Sequence, residues 1–204
     1  MIHPPNIYLV GAHCTGKTTL HGALKNYLST NIASFAINTK GPKSVDEVVR
    51  HVMRTDGFSA VHVRQPNAGL ELQKRTLRAQ FETEMKLDES WFISDRSGID
   101  PIVYAGFFLG QSAAEELTAL EEWHILKERM KNALVIVCEP GNESWLTSDG
   151  VRMKCYDTEE WRSLGRAFRA ALQKHGIKFV AIPRELENLE QRVHFVESLL
   201  RSTC

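Results

Sequence analysis

Near the amino end, the spacing of two glycines, a lysine and a threonine fits a loop that binds phosphate. Gly11 is followed, five residues later, by Gly16-Lys17-Thr18, which matches the pattern G-x-x-x-x-G-K-[ST] at every fixed position. Glycines permit the close backbone approach that such a loop needs, and the successive N–H groups form a concavity for an anion. The helix that begins near Lys17 adds its positive amino end. The pattern therefore predicts that the chain binds a nucleoside triphosphate.

Each position of this loop has an expected contact with the nucleotide. Lys17 would reach the β- and γ-phosphates, and the Thr18 hydroxyl would bind Mg²⁺. Thr19 would meet the α-phosphate through its hydroxyl or N–H. The remaining contacts would come mainly from the main chain of Gly11, Ala12, His13, Cys14, Thr15 and Gly16. The loop by itself does not separate a kinase from a nucleotide-dependent switch.

A second group of polar residues follows the apolar stretch Trp91–Ser94. Asp95 and Arg96 come directly after this predicted strand, and ligands of open α/β sheets bind at the carboxyl ends of strands. Asp95 would either hold the Mg²⁺ shell or accept a proton from an attacking hydroxyl, and Arg96 would bind a phosphate or a substrate anion. Asp100 and Tyr104 lie four residues apart, on one face of the next predicted helix.

Two further groups would complete a site. Arg152 lies in a charged run, residues 149–154, that suits a mobile lid over the oxygens of a transferring phosphoryl group. Glu47 and Arg50 lie one helical turn apart, near the expected edge of the second strand. They would contact the substrate, or Glu47 would only complete a helix cap that begins at Ser44. The sequence leaves both readings open.

The composition is that of a single globular domain. The chain has 204 residues, of which 43% are hydrophobic and 25% are charged. Its 25 basic and 25 acidic residues give no net charge, so there is no general electrostatic basis for binding nucleic acid or a membrane surface. No apolar run approaches the ~18 residues of a membrane span. Four scattered cysteines and the lack of a signal-peptide core favour reduced thiols and a cytoplasmic location.

Strand and helix patterns alternate along the chain. The predicted strands are Ile7–Val10, Ser34–Asn38, Trp91–Ser94, Ala133–Cys138 and Ile177–Ile182. The predicted helices are Lys17–Ser29, Gly69–Ser90, Ser112–Lys131, Asp157–His175 and Arg184–Ser202, and two more begin at Ser44 and Asp100. In the helix Gly69–Ser90, the residues predicted to be buried are Leu70, Leu77, Phe81 and Met85. The helix Ser112–Lys131 is predicted to begin with a capping box formed by Ser112 and Glu115. This alternation indicates an α/β fold in three layers, with helices on both faces of a parallel sheet. Irregular segments at 56–68 and 140–156 fit a substrate flap and a phosphate lid.

With these motifs, the chain resembles the AAA-like P-loop family that includes the nicotinamide-riboside-kinase domain of bacterial NAD-biosynthesis regulators, and more broadly nucleoside and nucleotide kinases. The resemblance rests on Gly11-x-x-x-x-Gly16-Lys17-Thr18, Glu47-Val-Val-Arg50, Phe92-Ile-Ser-Asp95-Arg96 with Asp100 and Tyr104, and Asp149-Gly-Val-Arg152. It implies a five-stranded parallel core and ATP or GTP with Mg²⁺. It further implies Asp95 as base or metal-shell acid, Arg152 as a lid residue, and the nucleotide base near Pro183.

Two functions agree with this sequence. The first is an ATP-dependent phosphotransferase acting on a small hydroxyl- or phosphate-bearing acceptor, such as a nucleoside or nucleotide. The acceptor would be bound by Glu47, Arg50, Asp95, Arg96, Asp100 and Tyr104, and the catalytic groups would be Lys17, Asp95, Arg96 and Arg152. The alternative is a nucleotide-hydrolysing switch that acts on a protein partner. The sequence has no Asn-Lys-x-Asp base-recognition motif and no evident water-orienting glutamine, which favours the kinase. The acceptor and the oligomeric state stay open.

Overall fold

One parallel sheet of five strands lies at the centre of the part of the chain that the computed structural model describes, residues 4–31, 40–87, 90–141, 143–146 and 157–203. The strands are β1 (Ile7–Val10), β2 (Lys43–Val45), β3 (Phe92–Asp95), β4 (Leu134–Val137) and β5 (Val180–Ala181). Their order across the sheet is β2-β3-β1-β4-β5, and each neighbouring pair is parallel. The segment that follows the central strand β1 therefore emerges at the middle of the carboxyl edge.

Helices cover both faces of this sheet. Within the described ranges they are α1 (Lys17–Thr30), α2 (Val48–Thr55), α3 (Pro66–Met85), α4 (Ile99–Phe108), α5 (Gln111–Thr118), α6 (Glu121–Lys131), α7 (Thr158–Lys174) and α8 (Leu189–Thr203), with short 3₁₀ helices at Ala60–Arg64 and Glu143–Trp145. Along β1, Ile7 and Leu9 face a core shared with α1 and α8, whereas Tyr8 and Val10 face a core shared with α4, α6 and α7. The expected three-layer α/β fold with a five-stranded parallel sheet is confirmed. None of the described helices is long and apolar enough to cross a membrane.

The helix predicted to begin at Ser44 is wrong, because Ser44 lies inside β2. The register pairs Ser44 with Ile93 of β3, and the buried Val45 fixes that strand against the sheet. Pairing along β3 satisfies the main chain of this segment better than a local cap would, so α2 begins only at Val48. The strand predicted at 34–38 lies outside the described residues.

The single long helix predicted for residues 112–131 is in fact two helices. Leu120 has an extended conformation, with φ −74° and ψ 142°, and it separates α5 from α6. The turn lets Leu117 and Trp123 enter the same core, which a straight helix would not allow. The residue that precedes α5 is Gly110, with no side-chain cap, so the Ser112/Glu115 capping box is also wrong.

Candidate nucleotide and acceptor site

The loop after β1 has the backbone geometry that its glycines make possible. Gly11 and Gly16 have φ of +134° and +76°, in the region that side chains disfavour. A Cβ at Gly11 would collide with the carbonyl oxygen of Cys138, and one at Gly16 would lie 2.6 Å from Nη1 of Arg192. Both positions therefore need glycine for space as well as for conformation. Cys14 also has positive φ, at 57°, and both it and Cys138 are buried cysteines that form no disulfide.

Lys17 begins α1, and its ammonium folds back onto the loop. Nζ donates to the carbonyl of Gly11 at 2.9 Å, to that of Ala12, and to the Thr15 hydroxyl at 3.2 Å. Burial lowers the pKa of Lys17 to about 8, assisted by the charge of Arg96 and opposed by nearby carboxylates. The ammonium thus marks the centre of the loop, where a phosphate would replace the carbonyl oxygens as its partner.

Thr18 and Asp95 form a pair of oxygen donors at the edge of the loop. The Thr18 hydroxyl donates to Oδ2 of Asp95 at 2.6 Å, and Asp95 is only 1% exposed. Among the described residues nothing bonds to Oδ1 of Asp95, although it is buried. A hydroxyl and a carboxylate with a spare oxygen fit Mg²⁺, which prefers hard oxygen ligands and takes others from nucleotide phosphates. No group of three or more described His, Cys, Asp or Glu side chains could hold a metal by itself.

Arg96 follows β3 and joins the loop to the helices around it. It adopts φ of +100°, which turns its side chain back across the carboxyl edge of the sheet. Nε and Nη2 each lie 2.8 Å from Oε1 of Glu47, and Nη1 donates to Asp100 at 3.1 Å and to the Gly11 carbonyl at 3.3 Å. The guanidinium also lies 5.8 Å from the centre of the Tyr104 ring. The positive φ is a cost that this set of contacts offsets.

Glu47 is an ionised carboxylate held between two arginines. Burial would raise its pKa, but the charge of Arg96 and the hydrogen bond from Arg50 hold it at about 2. The distance from Arg50 Nε to Glu47 Oε2 is 2.5 Å. The side chain makes no capping hydrogen bond to α2, so of the two readings of Glu47 the helix cap is excluded.

Two clefts meet at Glu47 and Arg96. The first, here called the loop cleft, has a volume of about 400 Å³ and is lined by Cys14, Thr15, Gly16, Lys17, Thr18, Thr19, Glu47, Arg96, Ser144, Trp145, Glu187, Leu189 and Arg192. The second cleft lies between α2, α3 and α4 and is lined by His13, Glu47, Val48, Val49, Arg50, Met53, Val63, Gln73, Thr76, Gln80, Arg96, Ser97, Asp100, Pro101 and Tyr104. A ligand in either cleft would therefore touch the same ion pair. Asp95 is not among the described residues that line them.

The structure brings most of the predicted site residues into these clefts. Asp100 accepts from the main-chain N–H and the hydroxyl of Ser97, at 2.8 and 3.0 Å, and so holds Arg96 in place. Burial raises the pKa of Tyr104 to about 12, which keeps its hydroxyl protonated beside Nδ1 of His13, 3.3 Å away. Pro183 instead lines a separate, smaller cleft at the end of β5. Arg152 lies outside the described residues.

A buried polar stripe on α3 contains Gln80 and Glu84, whose four-residue spacing makes them a candidate pair for the pocket. Gln80 does line the second cleft, whereas Glu84 lies beneath it. Glu84 is fully buried, accepts from the Tyr8 hydroxyl at 2.5 Å, and accepts from Nε2 of Gln80 at 2.8 Å. The same Gln80 nitrogen donates to Ser94 at 3.1 Å, which ties α3 to β3. The apolar stripe predicted to be buried on this helix is only partly correct. Leu77 is buried, whereas Leu70, Phe81 and Met85 are half-buried. The four-residue spacing of Gln80 and Glu84 was the available signal for this network.

Two contacts to the loop from late in the chain were also missed. Trp161 on α7 donates from Nε1 to the main-chain oxygen of His13 at 2.7 Å. Arg192 on α8 donates from Nη2 to the main-chain oxygen of Thr15 at 3.1 Å. Both connect residues almost a chain length apart, and no local pattern marks them.

The model of the AAA domain family matches residues 6–192. This chain belongs to that family. Among curated proteins none matches it in sequence.

Solved structures with the same fold include NadR and two small-molecule kinases. NadR in complex with NR has 17% identity and a TM-score of 0.71, over 96% of this chain and 52% of NadR. The chain thus spans about half the length of NadR. Deoxyadenosine kinase from M. mycoides with bound dATP has 14% identity and a TM-score of 0.68, over 96% of this chain and 98% of its own. Shikimate kinase from Acinetobacter baumannii in complex with shikimate has 13% identity and a TM-score of 0.53, over 98% and 94%. The resemblance found in the sequence is confirmed at the level of family and fold.

Proposed function

We propose that this chain is a small-molecule kinase. It transfers the γ-phosphoryl group of ATP or GTP to a hydroxyl- or phosphate-bearing acceptor such as a nucleoside or nucleotide. The observation that carries this proposal is the meeting of two clefts at Glu47 and Arg96. Hydrolysis needs only a nucleotide and water, whereas a second cleft with apolar walls and a few charged groups suits an organic acceptor.

The donor nucleotide occupies the loop cleft. Main-chain N–H groups between Gly11 and Thr19 surround its phosphates, and Lys17 exchanges its loop carbonyls for phosphate oxygens. Thr18 and Asp95, whose side chains are joined by a hydrogen bond, would hold Mg²⁺ with their oxygen atoms. When bound, the ion neutralises charge on the phosphates. Of the two roles expected for Asp95, its position behind Thr18 supports the metal role over the base.

The acceptor occupies the second cleft, with its hydroxyl toward Glu47. A carboxylate with a pKa of about 2 is a weak base, so Glu47 orients the hydroxyl by accepting its hydrogen bond. The transition state of phosphoryl transfer is loose and demands little deprotonation, which makes positioning sufficient. Arg96 fixes Glu47 from one side and meets the transferring oxygens on the other. Arg50 and Tyr104 contact the rest of the acceptor.

The surrounding segments keep their predicted roles in this proposal. Residues 56–68 serve as a substrate flap, and Val63 within them lines the second cleft. Residues 140–156 keep the role of a phosphate lid with Arg152 as its cationic residue; most of this segment, Arg152 included, lies outside the described residues. The whole chain acts as a single P-loop domain. A kinase that uses ATP, with Cys14 and Cys138 buried outside disulfides, agrees with a cytoplasmic setting.

A screen of nucleosides, nucleotides and sugars with γ-labelled ATP tests the proposal. We expect label to move to at least one acceptor. Glu47→Gln should then lower kcat about 10²-fold or more. The matched control is Asp46→Asn, at the exposed neighbouring position, and this variant should keep wild-type activity. Rapid phosphate release that no acceptor stimulates would replace the kinase by the nucleotide-hydrolysing switch.

A further inference from the structure

Arg64 joins the flap, residues 56–68, to a helix on the far side of the site. It ends the 3₁₀ helix Ala60–Arg64, and its Nη1 and Nη2 donate to Oε1 and Oε2 of Glu160 on α7 at 2.8 and 2.7 Å. Two parallel bonds of this kind fix the angle between the partners as well as their distance. The guanidinium also lies 4.5 Å from the centre of the Phe108 ring on α4. The half-buried pair Arg64–Glu160 is called the flap clasp below.

The flap has the local features of a segment that moves as a unit. Gly57 at its start has φ +74°, and a Cβ there would meet open space. Its helix is of the 3₁₀ type, whose hydrogen bonds are poorer than those of an α-helix. Gln65 is extended, with φ −87° and ψ 125°, and separates this helix from α3. Such segments open at a low free energy, so contacts from outside the flap govern its position.

The flap clasp bears on the shape of the second cleft through Val63. This residue precedes Arg64, is 3% exposed and lines the second cleft. It belongs to a small apolar cluster with Val52 of α2 and Leu72 of α3. Because Val63 and Arg64 are neighbours in the chain, release of Arg64 from Glu160 would let Val63 leave the cleft wall.

The other end of the clasp is connected to the phosphate loop. Trp161, the residue after Glu160, is fully buried and donates from Nε1 to the main-chain oxygen of His13 at 2.7 Å. The His13 carbonyl and the Cys14 N–H belong to one peptide group. A phosphate that accepts from this N–H would polarise the peptide and strengthen its bond to the indole. The Asp157 cap holds the main-chain N–H of Glu160 at 2.8 Å, so Glu160 and Trp161 lie on one fixed helical turn.

We propose that Arg64 is a positioning residue, which holds the acceptor cleft closed when a nucleotide occupies the phosphate loop. Phosphate on the loop fixes Trp161, the first turn of α7 then presents Glu160 to Arg64, and Val63 stays in the cleft wall. The nucleotide thereby shifts the flap toward its closed position. The inference rests on the proposed donor and acceptor sites, but the movement of the flap can be tested with the nucleotide alone.

Amide hydrogen exchange of the full chain, with and without saturating Mg·ATP, measures the position of the flap. In the wild type we expect ATP to slow exchange across residues 56–68 about fivefold. Arg64→Met keeps an apolar stem over Phe108 but removes the donors, and Glu160→Ala removes the acceptor. In both variants ATP should slow this exchange less than about 1.5-fold, and the double variant should match either single one because the same pair is lost.

A matched control is available on the same turn of α7. Glu159 is exposed and pairs with Arg166 of its own helix. Glu159→Ala therefore removes an equal charge from the helix terminus without touching the flap. In this variant ATP should slow exchange of the flap as much as in the wild type.

Calorimetry and kinetics separate positioning from a general loss of structure. Because coupling is reciprocal, loss of the clasp should weaken Mg·ATP by no more than about fivefold. With an acceptor from the label screen, Arg64→Met should raise the KM for the acceptor about fivefold while kcat changes less than about twofold. A smaller fraction of folded enzyme would instead lower kcat and leave KM unchanged.

The possible results distinguish the clasp from the proposed function. If ATP binds but slows exchange of the flap equally in the wild type, Arg64→Met and Glu160→Ala, or in none of them, the clasp is overturned and the kinase function stands. Slowing that depends on the clasp, without label transfer to any acceptor, would keep the coupling and remove the kinase function. A wild-type chain that binds no ATP would remove both.

Discussion

Replacing Glu84 with glutamine will change how the stability of the protein depends on pH. Burial raises the pKa of Glu84 to about 7, even though hydrogen bonds from Tyr8 and Gln80 and the charge of Arg129 lower it. Arg129 Nε lies 3.7 Å from Oε2 of Glu84, and its charge opposes the effect of burial without cancelling it. The folded protein therefore holds a proton on this carboxyl that the unfolded chain releases near pH 4.5.

The sign and size of the effect follow from this difference in pKa. Between the two pKa values the folded state binds more protons than the unfolded state, so stability falls as the pH rises. A shift from 4.5 to about 7 corresponds to about 3.4 kcal/mol in full, and about 2.5 kcal/mol of it is lost between about pH 5 and 8. Glutamine does not titrate, so the variant should not show this loss.

Urea denaturation of both proteins across this range measures the effect. The free energy of unfolding of Glu84→Gln relative to wild type should rise by about 2.5 kcal/mol from about pH 5 to 8. Subtracting one protein from the other cancels the titration of all other groups. Glu82→Gln, an exposed position on the same helix, is the matched control and should follow the wild type. Parallel profiles for wild type and Glu84→Gln would show that burial does not govern this carboxyl.

Three other outcomes follow from the geometry of the loop. The affinity for Mg·ATP should fall about tenfold for each pH unit above about pH 8. Phosphate binding needs the Lys17 ammonium, and burial lowers the pKa of Lys17 to about 8. An affinity that calorimetry finds unchanged up to about pH 10 would contradict this. Asp95→Asn should lose turnover by orders of magnitude in steady-state assays while nucleotide still binds, and full activity would remove Asp95 from the mechanism. Gly11→Ala should cost about 3 kcal/mol or more in urea denaturation, because strain at φ +134° adds to a collision with the Cys138 carbonyl. Gly110→Ala, at φ +105° and in open space, isolates the strain and should cost less; equal costs would count against the collision.

The sequence predicted the parts of the fold that depend on local spacing. The turn from Val10 to Lys17 and the run that ends at Asp95 are encoded by neighbours in the chain, so their type and position are confirmed. Ser44 and the glutamate three residues later form a capping pattern, which predicts a helix at that position. The main chain of Ser44 instead pairs beside β3, an interaction across 49 residues that no local pattern encodes.

The site shows the same division between local and distant determinants. The sequence predicts that the residues at the carboxyl ends of β1 and β3 lie close together, because parallel strands end at the same edge of a sheet. The position of Arg192 could not be predicted, because 177 residues separate it from its partner Thr15. Nor could the network below the second cleft, since the Tyr8 hydroxyl and Glu84 meet only once α3 lies on the sheet.

The folded-back ammonium of Lys17 bears on how long a nucleotide stays bound. Because Nζ already has the oxygens of Gly11 and Ala12 as partners, an arriving phosphate must displace them, and the net gain is a difference between two sets of contacts. If the proposed nucleotide binds, the same oxygens would recapture the ammonium as the phosphate leaves and would lower the barrier to departure. Under the proposed function, a loop built this way would trade some affinity for faster exchange of its ligand, and a lysine held away from those carbonyls would bind more tightly but release more slowly.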